Sequence, residues 1–148
     1  MKAKTIVEGP QRTFILVLDS GEEAFKAITA FANEQNIVGA SVTAIGAFAR
    51  AKVGWFDLNK KSYLPIPVEG QNEVLSLIGD IAEGDDHKAS LHLHAVLGLH
   101  DGTVRGGHLL EGEVRPTLEA TIVETTSHLR RTKRPDLGIA LIDIAARP

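Results

Sequence analysis

Leu91-His92-Leu93-His94-Ala95-Val96-Leu97-Gly98-Leu99-His100-Asp101-Gly102-Thr103-Val104-Arg105-Gly106-Gly107-His108-Leu109-Leu110-Glu111 reads as two strands and the turn between them. The first strand alternates, so His92 and His94 point to one face with α-carbons roughly 6.5 to 7 Å apart. The face of His108 depends on the turn. A two-residue turn at Asp101-Gly102 pairs His94 with Leu109 and sends His108 to the opposite side. A three-residue loop, His100-Asp101-Gly102, with Gly102 in the left-handed position of a bulge, pairs Leu99 with Thr103 and therefore His94 with His108. The sequence permits both turns, and only the second gathers three imidazoles on one face. Gly106 and Gly107 leave room beside His108 for an ion, a bulge or a neighbouring chain.

Upstream, Ser20-Gly21-Glu22-Glu23 reads as a capping box that starts a helix near residues 21 to 35. Phe25, Ile28, Phe31 and Ala32 fall on one side of it, fit to lie on a sheet, and Asn36 is a suitable stop. The other periodic segments read as strands: 13–18, 40–48, 52–57, 74–81, 90–99, 104–111, 118–123 and 139–144. Asn59-Lys60-Lys61, Pro65-Ile66-Pro67, Glu83-Gly84-Asp85-Asp86, Asp101-Gly102 and Arg134-Pro135-Asp136 read as breaks. One helix among many strands with short connections predicts an α+β fold, a mainly antiparallel sheet with one principal packed helix.

The chain has 148 residues, 43% of them hydrophobic, which is enough for one domain, 1–148, with its own core. No apolar run reaches membrane-spanning length and Met1-Lys2-Ala3-Lys4-Thr5-Ile6-Val7 lacks a signal-peptide core, so the expectation is a cytoplasmic protein with no membrane partner. A formal net charge of −3 argues against a chain built chiefly to neutralise phosphates. Six histidines and no cysteine exclude disulfides, thiolate metal sites and cysteine nucleophiles. Any metal must be held by imidazole and carboxylate. Three neutral imidazoles from His92, His94 and His108 suit Zn²⁺ best, though other divalent transition metals accept the same donors. The alternative is that these histidines only pack and hydrogen-bond on a half-buried face. His87 and His100 fall in turns and His128 beside a basic segment, and all three read as solvated surface.

Glu73-Val74-Leu75-Ser76-Leu77-Ile78-Gly79, Leu91 to Ala95 and Asp101 to Gly112 resemble, in order and spacing, the plant-and-prokaryote-conserved (PPC) domain family of bacteria and archaea. Gly21-Glu22, Ala44 to Phe48, Trp55-Phe56-Asp57 and Leu118-Glu119 also fit, so the resemblance extends over most of the chain. Its most specific part is His-x-His combined with Gly-Gly-His. The resemblance implies an antiparallel sheet with a packed helix, assembled as a homotrimer. Stand-alone prokaryotic members are commonly designated candidate DNA-binding proteins, and some carry metal on histidines matching His92, His94 and His108. Plant members join the domain to an AT-hook, which supplies the minor-groove contacts, while the domain supplies oligomerisation and regulatory-partner binding. Gly70, Glu73 and Leu75 match a partner-recognition segment of the plant members, whereas Gln71 and Asn72 depart from it.

Three functional classes follow. Arg130, Arg131, Lys133 and Arg134 form the one basic run, able to contact phosphates, although a solvated loop is the blander reading and the glycine of an AT-hook core is absent. A zinc-dependent enzyme would use metal-bound water on a small molecule, with Glu73, Glu111 or Glu113 as candidate bases. A metal-stabilised trimeric module acting through partners needs no further residues. Assembly has a physical motive as well: strands such as 40–46 and 139–144 are apolar on both faces, and one helix covers only one side of a sheet.

Overall fold

The computed structural model describes residues 1–7, 9 and 11–145. In chain order the elements are β1 (Lys2–Val7), β2 (Thr13–Asp19), α1 (Ala24–Glu34), β3 (Gly39–Asp57), β4 (Ser62–Val68), β5 (Asn72–Glu83), β6 (Ala89–Gly98), β7 (Val104–Glu124), β8 (Arg131–Arg134) and β9 (Ile139–Ile142). The expected α+β class, a mainly antiparallel sheet with one helix, is what the chain forms.

The frame is the pair β3 and β7, antiparallel from Ala40 opposite Glu124 to Gly54 opposite His108. On its other edge β3 takes β5 and then β4, while β7 takes β2 and β6. Because β5 also pairs with β6, these ladders close a ring of β3, β5, β6 and β7. Register shifts along β3, between Gly46 and Phe48 and between Lys52 and Val53, bend the long strands enough to serve neighbours on both sides.

These bends correct two expectations. Segments 40–48 and 52–57 are one strand, and so are 104–111 and 118–123, because bulges interrupt the alternation without ending the ladder. Pro65-Ile66-Pro67, expected to break the chain, lies within β4, a strand at the edge of the sheet paired with β3. At an edge, a proline's missing N–H costs no ladder bond. The 139–144 segment forms β9, which pairs with β8 in a separate hairpin rather than joining the main sheet.

Helix α1 starts later than the capping-box reading placed it. Gly21 N donates to Val114 O and Val114 N to Glu22 O, each at 2.9 Å, so residues 21–22 are held to β7 in a turn ahead of the helix, with Gly21 at a φ of 90°. Glu23, not Ser20, is the N-cap: its carboxylate accepts from Phe25 N and Lys26 N at 3.2 and 2.8 Å and also from Gly112 N at 3.0 Å. Asn36 takes a left-handed φ of 54°, ending the helix as expected. Ile28, Phe31 and Ala32 pack onto Leu16, Leu18, Leu118 and Ile122, with Phe31 meeting Phe14 edge-on at 5.2 Å. Full burial of each large apolar side chain contributes about 1.5–3 kcal/mol.

The helix covers one face of the sheet. By register, Ile78, Val96 and Val104 lie on the opposite face with His94 and His108. They remain 56%, 42% and 51% exposed, leaving an apolar outer surface uncovered within the chain.

Candidate metal centre

The turn that decides the histidine geometry is the three-residue loop. Leu99 N donates to Thr103 O at 2.9 Å, Gly102 takes a φ of 81°, and the Asp101 carboxylate ties down Thr103 through both N (2.9 Å) and Oγ1 (2.7 Å). His94 therefore sits directly opposite His108. His92 lies two positions before His94 on β6. The room at Gly107 is taken by β3: a Cβ there would lie 2.5 Å from Gly54 O, so glycine is what lets the two backbones meet beside His108.

The three imidazoles converge through Nε2. His92 and His108 approach to 2.9 Å and His94 and His92 to 3.2 Å, with potential donor atoms of all three within 4.8 Å. Three ligands about 2.0–2.1 Å from a tetrahedral ion stand about 3.3 Å from one another, so the side chains fit a metal with little rearrangement. The electrostatics agree. Burial first, and then the neighbouring imidazoles, push His108 down to about 4, while a hydrogen bond to the Gly54 backbone works in the opposite direction. Burial likewise lowers His92, reinforced by Arg131 and His94 and opposed by Asp80. Neutral rings with free lone pairs are what a cation requires.

Around them lies a cleft of about 580 Å³ lined by Phe56, Leu58, Tyr63, Leu91, Arg131 and Leu141 as well as the histidines. Tyr63 meets His108 edge-on at 4.8 Å and Phe56 at 5.0 Å. Burial raises the Tyr63 phenol, with the positive charge of Arg131 opposing, so the hydroxyl stays a donor at neutral pH. Asp80 stands opposite His92 across the β5–β6 ladder and pairs with Arg131. Arg131 is 5% exposed, and its Nε has no partner among the described residues. A buried donor without an acceptor costs about 1–3 kcal/mol.

The solvated-loop reading of the basic run is therefore corrected: it is strand β8, and Arg131 is buried within it. Lys133 and Arg134 stay exposed, with Arg134 near Asp136 at 3.3 Å. The Nε of Arg130 is buried without a partner among the described residues. Glu111 pairs with Lys52 at 2.7 Å and Glu113 with Arg50 at 2.5 Å, lining a different hollow with Glu23. Glu73 and Leu75 line a third, beside Ile45 and Pro116, and Gly70 occupies the turn before β5 with φ 77°. None of the three candidate bases lines the histidine cleft. His87 and His100 are exposed as expected, whereas His128 is only 24% exposed and brings Nε2 to 3.2 Å from Glu83 without hydrogen-bond geometry. Sequence reading missed Asp80 and Tyr63. Asp80 shares the parity of Ile78 on β5, a usable signal, while Tyr63 was hidden beside the prolines of β4.

Residues 6–126 match the Plants and Prokaryotes Conserved (PCC, also PPC) domain. The chain belongs to that family. Among solved structures, this PPC chain is similar to a PPC protein of Pyrococcus horikoshii, with 34% identity, coverage of 92% of this chain and 94% of that one, and a TM-score of 0.84. It is similar also to a metal-containing protein of Archaeoglobus fulgidus, at 33% identity, 96% and 99% coverage and a TM-score of 0.81. A candidate DNA-binding protein of Bacteroides thetaiotaomicron matches at 26% identity, 97% and 99% coverage and a TM-score of 0.86. No curated protein matches the PPC chain. No described helix is long and apolar enough to cross a membrane.

Proposed function

We propose that this PPC chain is a metal-stabilised binding module, a single cytoplasmic domain in which His92, His94 and His108 hold one divalent transition metal, zinc first among them. The observation that carries the reading is the approach of the three Nε2 atoms to 2.9 and 3.2 Å on a face the helix leaves open. The metal content of the Archaeoglobus relative supports it. An ion on these residues would cross-link β6 to β7 and, with three protein ligands, keep a fourth position toward the cleft. The uncovered apolar residues Ile78, Val96 and Val104 support self-association of the same face, and the family resemblance supports an assembly of three. A DNA-binding, regulatory role is supported by the Bacteroides relative, with Arg130, Lys133 and Arg134 as the basic-run residues left for phosphate once Arg131 pairs with Asp80. Gly70, Glu73 and Leu75 would form the contact for a regulatory protein partner.

A second reading, a zinc-dependent enzyme acting on a small molecule, is favoured by the cleft that opens on the histidines. Zinc there would supply Lewis acidity. The test of the first reading is metal content after purification without added metal: close to one ion per chain in the native protein, and near none in His94→Ala. Unchanged content in single alanine variants of all three histidines would refute the assignment.

A further inference from the structure

Metal binding leaves Arg131 unexplained. It is carried into the histidine cleft by a hairpin outside the main sheet and set beside His92 with 5% exposure. A buried cation next to a metal site repels the ion rather than helping to hold it. Asp80 offsets the charge through one terminal nitrogen, and the Nε of the same guanidinium is left without an acceptor among the described residues. Guanidinium N–H groups are arranged as a planar fork that matches a carboxylate. Tyr63 brings a further hydroxyl donor to the wall, and Phe56, Leu58, Leu91 and Leu141 supply hydrocarbon surface. A volume of about 580 Å³ suits a small organic molecule. What a metal and a buried guanidinium would both attract is an anion, and what the apolar walls would bury is an aliphatic or aromatic body.

We propose that this cleft binds a small organic carboxylate, its charged group held between Arg131 and the open position of the metal, and its hydrocarbon part lying against Phe56, Leu58, Leu91 and Leu141. The inference rests on the metal reading of His92, His94 and His108. Inorganic phosphate shares the charge but lacks the part that the apolar walls would cover. Asp80 acts as a positioning residue, holding the guanidinium at the mouth of the histidine trio.

The test uses the full chain loaded with zinc, the zinc content of every sample being measured alongside calorimetric titration with hexanoate, hexanamide and inorganic phosphate. Hexanoate should bind at least about tenfold more tightly than neutral hexanamide, as expected for a charge-assisted hydrogen-bonded pair. It should also bind more tightly than phosphate. Arg131→Met, with zinc content unchanged, should lose about tenfold or more of the hexanoate affinity while hexanamide binding stays the same. Should Arg131→Met fail to fold, the cobalt-substituted native protein answers instead: its visible spectrum shifts on adding hexanoate and not on adding hexanamide. Full zinc content with no preference for hexanoate, a silent cobalt spectrum, or undiminished hexanoate binding by folded Arg131→Met would overturn the carboxylate site and leave the metal centre standing. Failure to take up zinc would overturn both, and the metal analysis separates the two failures.

Discussion

The two faces of the sheet are built from the same strands and do opposite things. Toward α1, Leu16, Leu18, Leu118 and Ile122 are fully buried in one cluster with Ile28 and Phe31, and among the described residues no histidine or carboxylate is buried there. Away from it, the alternating positions of β5, β6 and β7 present Ile78, Val96 and Val104 together with His94 and His108, with Ile78 and Val104 more than half open. The covered face holds the chain together, while the open face carries the histidines and the uncovered apolar residues on which metal binding and association are proposed.

The largest effect belongs to the covered face. Leu118→Ala should remove about 2–5 kcal/mol of stability in chemical denaturation, from lost burial and the cavity left behind, while the folded fraction keeps its metal. Metal removal probes the open face. Chelation should lower the thermal midpoint by several degrees, because an ion bound only by the native state stabilises that state by mass action; an unchanged midpoint would mean that β6 and β7 need no cross-link. Assembly comes next. Light scattering of the native chain should give three times the 15.9 kDa chain mass. Val96→Asp combined with Val104→Asp should reduce that to one chain mass without loss of secondary structure. A native monomer at all concentrations would remove the trimer and the partner platform built on it.

How much of the molecule is legible in its sequence follows from the range over which each signal acts. The β6–β7 hairpin is readable because alternation has a period of two and only two turn geometries have to be weighed; the three-residue loop, stitched by Asp101 to Thr103, selects the one that unites the histidines. The continuity of β3 and β7 is not, since the register shift between Phe48 and Arg50 and the proline at Pro116 look like ends in one dimension. Strand β4 is concealed by Pro65 and Pro67, whose tolerance depends on being at an edge. Arg131 reads with its basic neighbours as surface. Its partner Asp80 lies 51 residues away, and no local pattern announces that pairing.

Smaller effects sharpen the picture. For the metal-free protein, His108 titrates near 4 when folded against an ordinary 6.5. As pH falls below 6.5 the unfolded chain takes up a proton that the folded one refuses. Stability should therefore decline through the window from 6.5 to about 4 and level off below it. His108→Gln should flatten that part of the profile. The slightest effect is expected on nucleic acid. If duplex DNA binds, replacing Arg130, Lys133 and Arg134 should reduce the salt dependence by about 0.9 for each phosphate no longer neutralised. An unchanged salt slope would move the phosphate-binding surface away from the β8–β9 hairpin.

The central claim, that the open face carries a three-histidine metal centre, is tested most directly by X-ray absorption at the zinc edge of the purified, zinc-loaded protein. The account predicts a four-coordinate ion with three imidazole nitrogens at about 2.0–2.1 Å, falling to fewer imidazoles in His92→Ala. A shell of oxygens alone, or a spectrum unaltered by that substitution, would contradict it.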